Sequence, residues 1–475
     1  MDALCLTDAP ARAFVAGGDD GLAAIDGFTD RLRGFWTNQC YPIGLFADSA
    51  SGKLYCMNDW PFTLSVIDPS ANSLLGTIPL SGYPQAVSFI TADRKVYVAL
   101  DNYQDETKAA RPTPGCLNSS TRTRCRRRGS QPSSAASTAS VAASTISVVD
   151  GVGDTVLADI DVDGHPTLLV FNATDDVLYA ADPGSRQIQV ISGKLDRVID
   201  SLWVSEPPVC LLYNAARHRL YSIGSSEVSA ITPGVPGADN YIDFGMSLQC
   251  FALNLSGTRL YAGGPDCDSV YVVDCVGESL ARAIPAAGCP AALCYDAQHD
   301  RLYSTSTGEG GALSVINCEK SYLAATVAVP AWSLYYDPTS DAIYCLGESS
   351  VTVINGHDHS IVTTLMTGIY LTGIASAPGW ARAYAVDYDD PYLFVIGKGQ
   401  AGMGVQAAAD VRATVVRGTL NWTGTLAVMY DMGGRRVADV HRGANDLTGL
   451  HPGVYFVKQN GVPRGTYGRK VVIAR

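Results

Sequence analysis

Apolar and polar positions alternate with period two along most of the chain, in short runs separated by Gly, Pro, Asn, Asp and Ser. Successive side chains of an extended chain point to opposite faces, so this alternation predicts half-buried β-strands. One kind of run recurs: "KLYCMN", "KVYVAL", "VLYAAD", "RLYSIG", "RLYAGG", "RLYSTS", "AIYCLG" and "RAYAVD". Each is anchored by an aromatic residue: Tyr55, Tyr97, Tyr179, Tyr221, Tyr261, Tyr303, Tyr344 and Tyr384, with Phe14 in "RAFVAGG" as a weaker first member. The anchors are spaced by 41, 42, 82, 42, 40, 42, 41 and 40 residues. A second kind of run follows 11 to 14 residues after the first in most units, as in "TLSVIDP", "TISVVDG", "SVYVVDC", "ALSVINC" and "SVTVING".

Two less regular strands flank these in each unit, which gives four strands in about 41 residues and no room for a helix. A four-stranded sheet of this size cannot cover both of its faces. The arrangement that stacks such sheets and leaves only short, protected edges is the β-propeller. The Tyr anchors then fill the space between adjacent blades. Asp68, Asp150, Asp274, Asn317 and Asn355 end the third strand, where a side-chain oxygen can accept a backbone N–H of the turn. Nine repeat units are present, and eight or nine blades are expected.

The doubled spacing hides no tenth unit. Tyr97 to Asp150 spans 53 residues where Tyr55 to Asp68 spans 13, so about forty residues are inserted within one blade. Residues 105–144 include "CLNSSTRTRCRRRGSQPSSAASTASVAAS", which is poor in large apolar side chains and is expected to be disordered. The run "RTRCRRRG" reads as a solvated loop.

Charge is unevenly distributed. The chain carries −12 overall, but residues 105–144 hold seven Lys/Arg against two Asp/Glu, and residues 411–475 hold ten against three. The rest of the repeat region is left with −24. An acidic body of that size disfavours nucleic acid and anionic membrane as partners. No window reaches the eighteen or so apolar residues of a membrane helix, so no transmembrane segment is expected.

The thirteen cysteines form no C-x-x-C pair, which argues against a zinc site of the usual spacing. Most are expected to be small buried apolar residues, with Cys267 and Cys275, on either side of one strand, as a candidate disulfide. No elbow, phosphate loop or dinucleotide fingerprint stands in a strand–helix context, so no catalytic residue, metal ligand or cofactor is assigned. Two weak metal patterns remain: His357 and His359 in "NGHDHS", and Asp387, Asp389 and Asp390 in "DYDDPY". His165, His218 and His299 fall at turns or blade junctions without a recognisable partner.

The period, the four-strand content and the "(R/K)LY … VID" pair resemble the YVTN-repeat propellers, the bacterial group that includes YncE-like proteins. The resemblance covers residues 1 to about 400 and implies a propeller over 1–404, followed by a linker over 405–412. It says little about activity, because propellers host binding platforms, lactonases and dehydrogenase subunits alike.

From about Ala413 the repeat stops. "ATVVRGTLNW", "GTLAVMYD", "RRVADVH", "GVYFVKQ" and "YGRKVVIAR" read as the strands of a small Ig-like β-sandwich over 413–475. The order "YDMGGRRV", "GANDL", "LHPGVYFVK", "GRKVVIAR" resembles the C-terminal sorting domain of type IX secretion substrates. Gly434, Arg435, Val437, Leu450, Gly453, Tyr455 and Lys470 match its layout. The resemblance implies recognition by the type IX machinery and a secreted or outer-surface location in a diderm bacterium. No signal peptide is visible, and since "DALCLTD" already reads as a strand, a truncated start is expected.

The functional expectation is a non-catalytic interaction scaffold for an unknown protein, glycan or small molecule. The alternative is a lactonase-like or quinoprotein-like enzyme with its site in the central channel, for which three or more carboxylates or histidines converging on one point would be the sign.

Overall fold

A computed structural model of the protein describes residues 2–8, 11–17, 21–26, 32–36, 41–48, 50–59, 61–90, 93–101, 144–306, 311–348, 350–366, 371–376, 382–387, 392–399, 402–410, 414–416, 419–422, 427–431, 436–447, 449–450, 453–459 and 469–473. The expected disordered segment falls almost entirely outside them. The strands that bracket it do pair: Leu100 lies opposite Thr145, so the segment leaves and re-enters the same blade.

The unit is seen clearly in residues 42–79. Strands Pro42–Asp48, Lys53–Asn58, Thr63–Asp68 and Ser73–Pro79 pair in chain order, each antiparallel to the next. Asp68 Oδ1 accepts the backbone N–H groups of Ser70 (2.7 Å) and Ala71 (3.2 Å), which closes the turn into the fourth strand. Asn72 then reverses the chain in the left-handed region, at φ 56°. Asp150, Asp274, Asn317 and Asn355 accept turn N–H groups in the same way, as their place in the repeat predicts. The turn between the first and second strands uses the same device through Asp48, Asn172, Asp296 and Asp337. Sequence reading did not single out this second set.

Nine such sheets follow one another over residues 2–36, 42–79, 83–162, 168–203, 210–243, 250–285, 290–327, 333–366 and 371–410, called blades 1 to 9 below. Blade 9 ends on the strand Gly402–Asp410, which occupies most of the stretch expected as a linker.

The apolar core is divided among the blade junctions. Ile25 and Val15 of blade 1 pack with Tyr384 and Val395 of blade 9, which closes the ring. Every other pair of neighbouring blades shares a cluster of its own, for example Phe14, Leu54 and Ile67 between blades 1 and 2. The fold is therefore a closed nine-bladed β-propeller. The eight Tyr anchors and Phe14 lie on the second strands and are buried in these clusters. Each contributes roughly 1.5–3 kcal/mol of apolar burial. First strands of most successive blades touch and form the inner wall, while fourth strands are the most exposed and form the rim.

The residue two places before the Tyr anchor binds the next blade. Lys53 of blade 2 donates to Gly151 O (2.9 Å) and to the Asp154 carboxylate (2.7 Å) in the last turn of blade 3. Lys95 of blade 3 repeats this on Gly193 O (2.8 Å) and Asp196 (2.8 Å) of blade 4, and the Tyr97 hydroxyl donates to the same carboxylate (2.5 Å). Arg219 reaches Glu278, Arg259 reaches Ser321, and Arg301 reaches Gly356 O (2.7 Å), each in the following blade. The "(R/K)LY" motif thus encodes a polar clasp between blades as well as a core aromatic. Two described junctions lack the cation: Val177 and Ala342 hold its place in blades 4 and 8. Opposite Val177 the receiving turn also differs. In blade 5 it runs from Thr232 to Asp239 and is held by Arg219 of its own blade.

After the ring, the strands Thr414–Val416, Arg469–Ile473, Gly453–Gln459, Ala427–Asp431 and Arg436–Val440 form one sheet in that spatial order, with the first pairing parallel. Strands Thr419–Trp422 and Gly443–Asp446 form a second sheet. Leu420 of the smaller sheet and Met429, Val440 and Val457 of the larger share one core.

The clasp can be tested directly. Tyr97→Phe keeps the ring and removes the hydroxyl that meets Asp196, and should lower unfolding free energy by about 1.5–3 kcal/mol in urea titration. A loss below about 0.5 kcal/mol would reduce the clasp to an ordinary surface contact.

Candidate functional site

A meander of four strands places the first and last turns of every blade on one side of the ring, the turn face, and the middle loops and inter-blade connectors on the other. The turn face gathers the side chains with the most polar chemistry. At the junction of blades 7 and 8, Asp296 ends the first strand of blade 7 and is completely buried. Its Oδ1 accepts the N–H groups of Gln298 (2.8 Å) and His299 (3.2 Å). Its Oδ2 lies 2.8 Å from His299 Nδ1 and 3.4 Å from the Tyr303 hydroxyl.

The same His299 nitrogen lies 3.8 Å from Oδ1 of Asp341, in the first turn of blade 8. The Tyr336 hydroxyl stands 3.0 Å from that oxygen and 2.8 Å from Gln298 Oε1. Burial, and then the charge of Asp296, push the Tyr303 and Tyr336 hydroxyls upward, so both stay protonated and able to donate to the carboxylates. Gly356 is required here: a Cβ would fall onto Asp341 Oδ1.

His359 borders this group, with its ring 6.3 Å from that of Tyr303. Its Nδ1 is buried without a hydrogen-bond partner. Burial, and then the Arg301 charge, hold His359 below the usual histidine range, so it is neutral at pH 7.

On the other side of the same turn, a cleft of about 600 Å³ lies between blades 6 and 7, lined by Arg259, Tyr295, Asp300 and Glu319 among others. Asp300 accepts the Tyr295 hydroxyl at its wall (2.7 Å).

The structure corrects several expectations. His165, His218 and His299 all have partners. His165 Nδ1 lies 3.0 Å from Ser144 Oγ and 3.2 Å from Asp101 Oδ1, at the stem of the inserted segment. Hydroxyl and carboxylate share one nitrogen, so this is no nucleophilic triad, which needs one on each. His218 meets the Tyr213 hydroxyl (2.7 Å) and Asp175 of blade 4 (3.3 Å). His299 and Asp341, and His218 and Asp175, are some forty residues apart in sequence, a separation that gave no local signal.

His357 and His359 diverge. His357 is exposed, whereas His359, at φ 63°, turns toward Tyr303. Asp387 ends a strand, and Asp389 and Asp390 lie outside the described residues.

Cys267 and Cys275 are both free thiols. The strand Ser269–Asp274 carries the chain from a middle loop to a last turn, so the two lie on opposite sides of the ring. Cys275 and Cys318 follow the turn-closing Asp or Asn, where blades 3 and 8 place Gly151 and Gly356, and are buried. Burial pushes the Cys318 thiol up to about 12, which makes it inert.

Of the expected sorting residues, Val437 and Leu450 pack against the C-terminal core, and Gly453 opens a strand. Tyr455 and Lys470 sit on adjacent paired strands, while Gly434 and Arg435 lie outside the described residues.

No family model matches the chain, and no curated protein matches it. Among solved structures, it is similar to the dihydro-heme d1 dehydrogenase NirN in complex with DHE, with a TM-score of 0.53 at 11% identity over 84% of this chain and 75% of that one. It is also similar to a eukaryotic initiation factor, with a TM-score of 0.56 at 9% identity over 80% of this chain and 92% of that one. At these identities the likeness shows the propeller fold alone.

One carboxylate away from the cluster makes a clean pH prediction. Burial, and then Asp93, hold Asp176 above the usual aspartate range, and its Oδ1 is buried without a partner. A raised folded value means that the native state binds more protons than the unfolded chain, so stability falls as pH rises from about 4 through the folded value. Asp176→Asn should therefore raise the urea midpoint at pH 7 and leave it unchanged at pH 3. An equal gain at both values would assign the effect to something other than charge.

Proposed function

We propose that the protein is an exported interaction scaffold: a rigid ring that presents its rim to a protein partner, delivered by its C-terminal unit. One observation carries the scaffold reading. The fourth strand of every blade from the second to the eighth exposes a large apolar side chain, from Leu75 and Leu157 through Trp203 to Tyr322 and Ile361. An exposed apolar side chain recurring at the same place in seven successive blades gives a protein partner a repeated set of apolar contacts. The ring needs no rearrangement to present it, because its packing is complete at each blade junction.

The body is read as a YVTN-type propeller of the YncE-like group on the strength of its "(R/K)LY … VID" repeat. The C-terminal unit is read as an Ig-like type IX sorting domain. Its support is the ordered match of Gly434, Arg435, Val437, Leu450, Gly453, Tyr455 and Lys470, together with a strongly basic composition beside an acidic body. The location that follows is secreted or outer surface, in a diderm bacterium.

Two measurements test these parts separately. Deleting residues 411–475 should leave the propeller inside the cell, as read by immunoblot of culture medium and cell fractions, and unchanged export would end the sorting assignment. Leu157→Lys with Trp203→Lys should abolish capture of a discrete partner from the surface fraction without altering circular dichroism. Undiminished capture by that variant would remove the rim from the account.

A further inference from the structure

We propose that Asp296, His299 and Asp341 form a binding site for a single divalent transition-metal ion of the zinc type, bridging blades 7 and 8. One oxygen of each carboxylate and a histidine nitrogen all lie within 4.8 Å of one another. The two distances from His299 Nδ1 are 2.8 Å to Asp296 and 3.8 Å to Asp341. Around a tetrahedral ion with bonds of about 2.0–2.1 Å, ligand atoms stand about 3.3 Å apart, midway between these values. A shift of the His299 ring by about 0.5 Å, away from Asp296 and toward Asp341, brings both to that value.

The surroundings are those of a metal site. Asp296 Oδ1 is saturated by two backbone N–H groups, which leaves Oδ2 aimed at the cluster. The Tyr303 and Tyr336 hydroxyls contact the two carboxylates and fix their orientation, the task that outer-layer hydrogen bonds perform around bound metals. The Arg301 guanidinium does not neutralise the pair through its Nη1, which donates to the carbonyls of Gly356 (2.7 Å) and His357 (3.4 Å).

His359, which borders the cluster, has its Nδ1 buried without a partner. Blade 7 differs from its siblings in His299: blades 2 and 8 also bury an aspartate at the place of Asp296, but carry Ser51 and Ser340 where blade 7 has the histidine. Two carboxylates with one imidazole suit Zn²⁺ and, less tightly, Mn²⁺.

The test uses the full chain, stripped with chelator and dialysed, and titrated with Zn²⁺ alone by calorimetry. One equivalent should bind, with a rise in melting temperature reversed by chelator. His299→Gln and Asp341→Asn, both at partly exposed positions, should each weaken binding by about tenfold or more while leaving circular dichroism unchanged. His357→Ala, in the adjacent exposed turn, should bind like the parent. Absence of a one-equivalent phase, or its survival in both ligand variants, overturns the site. These outcomes are independent of export and rim binding.

Discussion

Each blade is a sheet of about two dozen strand residues that is apolar on both faces, and no sheet of that size can shield either face by itself. Every blade therefore depends on two neighbours, and the dependence has no end until the last sheet meets the first. The contact of Tyr384 and Val395 with Ile25 and Val15 satisfies it. Until the ring closes, blades 1 and 9 would each leave a cluster half exposed, at a cost of several buried aromatic and branched side chains.

Apolar burial alone would let neighbouring blades slide, because it has no direction. The clasp from Lys53, Lys95, Arg219, Arg259 and Arg301 supplies direction. A cation on one blade enters a turn whose Asp, Asn or, in blade 4, Ser has already ordered the backbone, so a carbonyl and, in several blades, a carboxylate wait at fixed distance. Partly buried pairs of this kind hold register better than exposed ones, which contribute little. At the junction of blades 4 and 5, where Val177 replaces the cation, the receiving turn is altered too.

The same turns create the chemistry. Because every clasp gathers ionisable residues on one side of the ring, that side is where a change of one or two residues can turn a structural joint into a ligand site. In blade 7 the change is a histidine three residues after the buried aspartate, where blades 2 and 8 have serine. The rim is built on the opposite principle: the fourth strand has no neighbour beyond it, and its exposed apolar residues are available to a partner.

The nine-unit repeat, the all-β architecture, the Tyr anchors and the turn-closing Asp and Asn residues were legible in the sequence, because each is local and recurs with a period of about 41 residues. Repetition makes a weak local signal strong. What the sequence did not disclose were relations between units: the basic residue of "(R/K)LY" grasping the following blade, His299 meeting Asp341, and His218 meeting Asp175. The separation of Cys267 from Cys275 across the ring was hidden for the same reason. Such pairs are chosen by the angle at which one twisted sheet packs on the next, and that angle belongs to the closed ring, not to any single unit. Period and strand type were therefore fixed by local chemistry, whereas the partners of the charged side chains were decided only when nine blades had to share one circle.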